Sequence, residues 1–303
     1  KGQTLVLSSP VECAPFARLC ATAAYDAGCG EVVMNWTDDH MTREKFLRAQ
    51  DAAFTAPRAW RKAFFTEYAE EGAAYLRIDA EDPETLAGVK PERLVAAQRV
   101  SSGERETFDR LQMANGFPWC VAGAPIAAWA KKVFPGRTEN EAMDSLWDAI
   151  LATVRVTGDG KAEARWREHI SLLASRKEKL NELHFKSLHY TNSLGTDLTV
   201  ELPEDHLWSA GNSVTPKGQP FVANMPTEEI FTAPRRNGVN GTVCAALPLV
   251  YNGSIIEDIR FTVRDGRIVE AKASRGEDIL NAAISVDEGA HYFGEVALVP
   301  YDS

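Results

Sequence analysis

Apolar and polar positions along residues 4 to 36 follow the order of a strand, a helix and a second strand. "TLVLSS" is a short apolar run, residues 13 to 27 carry good helix formers at helical spacing, and "EVVMNW" is apolar again. This order predicts a β-α-β unit. Gly28 follows the last helical position, so we read it as the C-terminal cap of the helix.

The alternation of helical and strand patterns continues to residue 184. It predicts strands at 73–78 and 117–123, and helices at 42–55, 57–71, 91–113, 140–154 and 161–183. Strands that alternate with helices are typical of a mostly parallel sheet covered on both faces. We therefore predict an N-terminal α/β domain over residues 1–184, whose last helix bridges to a second domain.

After residue 184 the apolar period changes to two, which favours antiparallel strands. Two strands are predicted around Gly195, and three in 241–274, with Asn252-Gly253 and Asp265-Gly266 as hairpin turns. Short helices at 276–284 and 287–292 precede a last strand, "FGEVALVP". The predicted fold class is α/β, with a strand-rich α+β domain over residues 185–303 after the parallel one.

Composition and charge narrow the classes of partner. The 303 residues include 33 Lys plus Arg and 43 Asp plus Glu, for a net charge of −10. Nucleic-acid binding depends on a basic face, so we expect no nucleic-acid partner. No leader pattern or membrane-length apolar stretch occurs, and the five cysteines form no C-x-x-C pair. We therefore expect a cytoplasmic protein without a membrane partner.

Several common catalytic patterns are absent from the sequence. Gly28 and Gly30 close a helix, whereas a dinucleotide-binding loop must open one. Neither H-E-x-x-H nor G-x-S-x-G occurs. His184 and His189 are five residues apart, about 140° around a helix and on opposite faces of a strand, so a regular element cannot direct both to one metal.

Two glutamate-bearing stretches are the candidate site. "NMPTEEIFTAP" places Glu228 and Glu229 between two prolines in an extended segment, where neighbouring side chains face opposite ways and only one can enter a given site. Glu295 lies in "YFGEVALVP", where an apolar strand should carry Val or Leu. Either position alone is equally compatible with a salt-bridged core residue. Together they predict a shared divalent cation, because carboxylates are its usual ligands.

The stretches "LHYTNSLGTDLTVELPEDHLW", "NMPTEEIFTAP", "NGTVCAALPLVYNGSIIEDIRFTVRDGRIVEAKASRGED" and "DEGAHYFGEVALVP" occur in that order. In them the chain resembles the thermophilic-type metallo-aminopeptidases, the aminopeptidase T and aminopeptidase S group. The resemblance implies a homodimer that removes N-terminal residues from peptides with two divalent cations (zinc, cobalt, manganese or magnesium). It implies that Glu295 is a bridging ligand and that Glu228 or Glu229 is a second ligand. The 66-residue separation from Glu295 favours Glu229, which leaves a proton-transfer role for Glu228.

In that family the remaining ligands, two histidines and an aspartate with a nearby tyrosine, follow the segment that corresponds to "VPYDS". We therefore expect the chain as given to carry part of the site, in an incomplete catalytic-type domain. The alternative function is a non-catalytic peptide-binding or assembly module that keeps the fold. A nucleotide-dependent α/β enzyme is a second rival, which depends on the first domain alone.

Overall fold

The computed structural model of the chain describes residues 1–300. Its α-helices are α1 Ala14–Asp26, α2 Asp39–Arg48, α3 Ala59–Glu71, α4 Pro91–Met113, α5 Ala127–Val133, α6 Glu139–Thr153, α7 Ala162–Leu183 and α8 Glu277–Ile284. Its strands are β1 Thr4–Pro10, β2 Glu31–Thr37, β3 Ala74–Asp79, β4 Trp119–Gly123, β5 Ser187–Thr191, β6 Asp197–Glu201, β7 Ser209–Ala210, β8 Ser213–Val214, β9 Pro220–Phe221, β10 Asn224–Met225, β11 Ile230–Thr232, β12 Val239–Cys244, β13 Leu249–Tyr251, β14 Ser254–Ile256, β15 Arg260–Arg264, β16 Arg267–Lys272 and β17 Val296–Leu298. Short 3-10 helices cover Val11–Cys13, Asp51–Phe54 and Gly289–His291.

The contacts along the backbone divide the chain into two units, neither of which is one continuous stretch. The first consists of Lys1–Leu86, Ala96–His169 and Gly211–Thr227, and the second of Ala87–Val95, Ile170–Ala210 and Glu228–Ser303. The predicted domain boundary after residue 184 stays a prediction.

The first unit is built on a parallel sheet in the order β10-β4-β3-β1-β2. Strand β1, which pairs with β3 on one side and β2 on the other, buries Val6 and Leu7 completely. Leu7 packs with Ala17 of α1 and Ile78 of β3, which explains why the strands read as continuous apolar runs. The predicted parallel α/β fold is confirmed.

Helix α1 ends as its sequence predicts. Gly28 has a φ of +92°, its N–H donates to the carbonyl of Tyr25 at 2.9 Å, and the N–H of Cys29 donates to that of Ala24 at 3.0 Å. This pair of bonds is a Schellman cap, which requires a left-handed residue. Gly28 therefore terminates the helix, as predicted.

The second unit is mostly antiparallel. Its larger sheet has the order β16-β15-β12-β6-β5, and a three-stranded sheet has the order β17-β11-β7. The buried residues Val239, Ile256 and Val263 lie in the main cluster of this unit. The predicted strand-rich α+β character is confirmed.

Several predicted elements have different bounds. The segment 241–274 contains five strands where three were predicted, because β13 and β14 form a separate two-stranded hairpin. Its turn at Asn252-Gly253 is correctly predicted, with φ values of +48° and +63° that suit a type I′ turn. The helix predicted at 42–55 ends at Arg48, and α5 was not predicted.

None of the helices within residues 1–300 has the length and apolar character that crossing a bilayer requires.

Candidate functional site

Two of the three predicted site residues immediately precede neighbouring strands of the three-stranded sheet. Glu229 comes directly before β11, the central strand, and Glu295 directly before β17. The two strands are antiparallel, with Ile230 opposite Leu298. Strands that lie 66 residues apart along the chain therefore bring both glutamates to one small sheet.

The register of this pairing decides which glutamate shares a face with Glu295. Phe231 lies opposite Ala297, and residues opposite each other in an antiparallel pair point to the same side. Side chains alternate along a strand, so extending the pattern by one residue places Glu229 and Glu295 on the Phe231 face. The same alternation directs Glu228 to the other face. The geometry thus favours Glu229 as the partner of Glu295.

The backbone does not bring the two carboxylates into contact by itself. Extending the register places Glu229 opposite Val299, four residues from Glu295, which corresponds to roughly 13 Å along the strand. Extended glutamate side chains have the length to close much of this gap.

The pKa of Glu295 reflects both its local environment and the charge of Glu229. Loss of solvent around Glu295 and, second, the negative charge of Glu229 raise the pKa of the Glu295 carboxyl above its ordinary value. Glu295 is nevertheless solvent-exposed, whereas Glu229 is half-buried. A cation bound beside Glu295 would favour its ionised form and so offset the effect of the neighbouring negative charge.

The prediction for the environment of Glu295 was wrong in one respect. It was predicted within an apolar strand, but it precedes β17 and is exposed to solvent. Gly294, also exposed, ends the preceding segment, so the strand begins only at Val296. The carboxylate can therefore ionise without the full cost of burial in a core.

The opposite face of the small sheet is fixed in a core. Ile230 packs in a buried cluster with Leu173 and Trp208. The Oγ1 hydroxyl of the buried Thr232 donates to the carbonyl of Leu207 at 3.0 Å. These contacts hold β11, and a strand held on one face presents its other face in a defined orientation.

A cavity of about 350 Å³ in the second unit borders Glu295. Its lining is mostly apolar. The residues that line it are Tyr190, Thr191, Asn192, Thr196, Leu198, Val200, Pro234, Val239, Val243, Cys244, Phe293, Glu295, Val296 and Ala297. The sequence reasoning missed this cavity, since the lining comes from three separated segments and no motif joins them.

A buried histidine in the first unit fixes the residue that precedes the Glu228-Glu229 stretch. His169, on α7, has its Nε2 atom 2.6 Å from the carbonyl oxygen of Thr227, and its Nδ1 atom 3.1 Å from the guanidinium of Arg155. A guanidinium only donates, so Nδ1 accepts and Nε2–H donates to Thr227. The sequence carried no signal for this role, because His169 is isolated along the chain.

The other histidines make separate contacts. His189 binds the carboxylate of Asp197 at 2.7 Å, and His184 donates to the carbonyl of Glu204 at 2.8 Å. The ring of His184 stacks on that of His206 with centroids 4.7 Å apart. His184 and His189 thus contact different groups, and the prediction that they do not share a metal stays a prediction.

The donor set of the glutamate pair (Glu229 and Glu295) suits a divalent cation but does not complete its coordination. Carboxylate oxygens are ligands for hard and borderline divalent metals. Within residues 1–300, no group of three or more His, Cys, Asp or Glu side chains has the arrangement of a metal site. The pair therefore fits as part of a ligand set, and further donors are needed.

Comparisons with known proteins point in one direction. Residues 1–303 match the family described as thermophilic metalloprotease (M29). The chain is 41% identical over 303 residues to aminopeptidase AmpS of Bacillus subtilis, covering 100% of this chain and 73% of that protein. It is 37% identical over 306 residues to aminopeptidase T of Thermus aquaticus, with 100% and 74% covered. The solved structure of wild-type AmpT from Thermus thermophilus superposes with a TM-score of 0.90 at 34% identity, with 100% and 74% covered.

Proposed function

The chain belongs to the thermophilic metalloprotease (M29) family, and from this premise we propose that it is a metal-dependent aminopeptidase acting through a two-metal site. Its substrates are peptides, from which it hydrolyses the N-terminal residue. Glu229 and Glu295 would be two of the residues that hold the metal. The observation that supports this assignment best is the register of β11 against β17, which directs Glu229 and Glu295 to one face of the small sheet.

The two glutamates contribute charge and position. As carboxylates on one face of the β11–β17 pair, they concentrate negative charge where a cation or the α-ammonium group of a peptide is attracted. A pair of divalent cations supplies an activated water and polarises the scissile carbonyl when bound. The mostly apolar cavity borders Glu295, so one side of the site is lined by hydrocarbon.

The proton-transfer role of Glu228 stays a prediction. Glu228 is half-buried and adjacent to Glu229, but strand alternation directs it to the other face of β11. Replacing Glu228 by Gln tests the role. If Glu228 transfers a proton, its replacement by Gln should lower kcat without changing the metal content. Full turnover in this variant would remove Glu228 from the reaction.

Glutamine variants of the glutamate pair provide the test of the site. Gln keeps the shape of Glu and removes its charge. In the protein expressed from its complete reading frame, we expect Glu295→Gln and Glu229→Gln each to lose bound metal and nearly all hydrolysis of an aminoacyl p-nitroanilide. Metal content is measured by plasma mass spectrometry after dialysis. Glu106, exposed on α4, provides the matched control, and Glu106→Gln should retain both properties.

Each outcome of this experiment decides between two functions. Unchanged metal content and turnover in Glu295→Gln would refute the site assignment. A protein with no bound metal and no turnover, even with its complete sequence and added zinc, cobalt, manganese or magnesium, would favour the non-catalytic peptide-binding module. Loss confined to the two site variants supports the aminopeptidase.

The resemblance that supports the reaction also supports a homodimer, and the scattered cysteines suit a cytoplasmic location; we include both in the proposal. Light scattering of the purified protein tests the dimer, with a mass of twice the chain expected. Fractionation of the producing cells tests the location. A monomer mass would remove the dimer without affecting the assignment of Glu229 and Glu295.

A further inference from the structure

Helix α7 contacts both ends of the short segment that carries Glu229. We propose that His169 on this helix is a positioning residue, which holds the backbone at Thr227 and so sets where the Glu229 carboxylate lies for a metal ion. The role rests on the proposed function, because it concerns a residue that would hold the metal.

The segment that needs support is 227–230. Its first three residues belong to no helix or strand, and β11 begins only at Ile230. A site on a loop is held less precisely than a site on a helix or strand, so it depends on the contacts that neighbouring elements provide. The position of Glu229 therefore depends on how the two ends of this segment are fixed.

One face of α7 fixes both ends. The Nε2–H of His169 donates to the carbonyl of Thr227 at 2.6 Å. Four residues further along the helix, Leu173 packs in a buried cluster with Ile230. Residues four apart share a helix face and are separated by roughly 6 Å along its axis. The three steps from Thr227 to Ile230 span at most roughly 10 Å. The two contacts thus flank both glutamates and limit how far the backbone between them can shift.

The hydrogen bond lies at a special place along the chain. His169 ends one stretch of the first unit and Thr227 ends another, so their bond joins two points at which the chain leaves that unit. Leu173 and Ile230 both belong to the second unit. Each contact therefore lies inside one unit, and continuous chain connects the two contacts through α7 and through residues 227–230.

The imidazole of His169 is itself held in place. Its Nδ1 accepts from the guanidinium of Arg155 at 3.1 Å, and its ring packs edge to face with Trp166, with centroids 5.9 Å apart. The Nε1–H of Trp166 donates to the carbonyl of Val154 at 2.8 Å. With Nδ1 as an acceptor, the proton is on Nε2, which is the atom that binds Thr227. A ring fixed in this way holds the carbonyl that it binds in one position.

Burial makes the bond to Thr227 difficult to replace. His169 is 9% exposed and Thr227 is 8% exposed. Without its donor the buried carbonyl is unsatisfied unless the segment moves to find another partner. Such a movement displaces Glu229. Contacts that orient the ligands of a metal typically contribute 10–100-fold to its affinity, so we expect a loss of at least about 10-fold when this bond is removed.

Two amide variants separate the two hydrogen bonds of the imidazole. In His169→Gln the amide reaches the position of Nε2 and can donate to Thr227, whereas the shorter amide of His169→Asn reaches the position of Nδ1 and faces Arg155. Zinc titrations use the metal-free protein expressed from its complete reading frame. We expect His169→Asn to bind zinc at least about 10-fold more weakly than the wild type, and His169→Gln to retain most of the affinity.

Thr138→Ala is the control for a general loss of stability. Thr138 caps α6, where its hydroxyl accepts from the N–H of Glu141 at 3.4 Å, and loss of a cap destabilises a helix. Zinc affinity should be unchanged in this variant. Hydrogen exchange of residues 227–232 in the metal-free protein is a second readout, and it should be faster in His169→Asn than in His169→Gln, Thr138→Ala or the wild type.

Equal zinc affinity and equal exchange in the two His169 variants would overturn the proposal. A loss of affinity in Thr138→Ala as large as in His169→Asn would overturn it too, because the effect would then follow from stability alone. If His169→Asn does not fold, His169→Gln decides by itself. Exchange in 227–232 equal to that of the wild type supports the role, and faster exchange refutes it.

Failure of this role is distinguishable from failure of the proposed function. If Glu229→Gln loses metal while His169→Asn retains it, the metal site is correct and the role of His169 is wrong. If the wild type binds no zinc and hydrolyses nothing, yet exchange in 227–232 depends on His169 as expected, His169 positions the segment and the metal site is wrong.

Discussion

Replacing His169 by Leu perturbs a buried hydrogen-bond pair just before the glutamate stretch. His169 is 9% exposed, and its Nε2–H donates to the carbonyl of Thr227, which is 8% exposed. On its other side Nδ1 accepts from Arg155. Leucine fills a similar space but can make neither bond, so the substitution isolates the polar contribution.

The expected loss follows from the partners left behind. A buried carbonyl without a donor, as at Thr227, costs about 1–3 kcal/mol. Arg155 loses less, because it also donates to the carbonyl of Thr153 at 3.2 Å and lies over the ring of Trp166. We count about 1 kcal/mol for the lost bond between Arg155 and His169, in the range of a typical net hydrogen bond. His169→Leu should therefore lower the free energy of unfolding by about 2–4 kcal/mol.

Urea denaturation followed by tryptophan fluorescence measures this loss. His169→Gln keeps an amide N–H that reaches Thr227, so we expect it to recover at least half of the loss. His40→Leu, at an exposed position of α2, is the matched control and should change stability by less than about 0.5 kcal/mol. A leucine variant as stable as the wild type, or a glutamine variant as unstable as the leucine one, would show that the Thr227 bond does not stabilise the fold.

Three further predictions concern charge and backbone. Glu229→Gln removes a negative charge and should lower the pKa of Glu295 toward its ordinary value, which a carboxyl NMR titration detects; an unmoved titration contradicts the shared face. In the metal-free protein, the raised pKa means that the folded state binds the Glu295 proton more tightly than the unfolded state does. The free energy of unfolding should therefore decrease as pH rises from the ordinary pKa range of glutamate through the raised pKa. Glu295→Gln should remove this pH dependence of stability when denaturation midpoints are measured across a pH series. If the dependence persists, it belongs to other titrating groups. Gly241→Ala should destabilise by about 1–3 kcal/mol or more, because φ is +126° and the added Cβ would lie 2.1 Å from the carbonyl oxygen of Asp197. Gly136→Ala, also at positive φ but with open space around it, should cost less in the same denaturation assay.

The sequence supplied candidate residues for the site, which stay a prediction, but it did not supply their geometry. The sequence supplied Glu229 and Glu295 as ligands through the resemblance of their flanking stretches. It left the choice between Glu228 and Glu229 to a spacing argument. The register of β11 against β17, with Phe231 opposite Ala297, is what places Glu229 on the face of Glu295. A one-residue change in register would reverse that assignment, and no local pattern specifies it.

The cavity illustrates a second limit of sequence reasoning. Its lining comes from residues 190–200, 234–244 and 293–297, and each segment reads as an ordinary strand or turn. Apolar positions on a strand predict a buried face but not whether protein fills the space above it. The cavity exists because the five-stranded sheet and β17 face each other, which is a property of packing.

The sequence by itself determined the features that depend on neighbouring residues. The apolar run of β1 predicted a buried parallel strand, Gly28 predicted the end of α1, and Asn252-Gly253 predicted a hairpin turn. Each follows from steric preferences and hydrogen bonds that act within a few positions of the chain. Tertiary structure alone decided the relations between distant residues: the bond from His169 to Thr227, and the strand face that Glu229 shares with Glu295. Those contacts span 58 and 66 residues, and their geometry is set by how whole elements pack, which no local preference encodes.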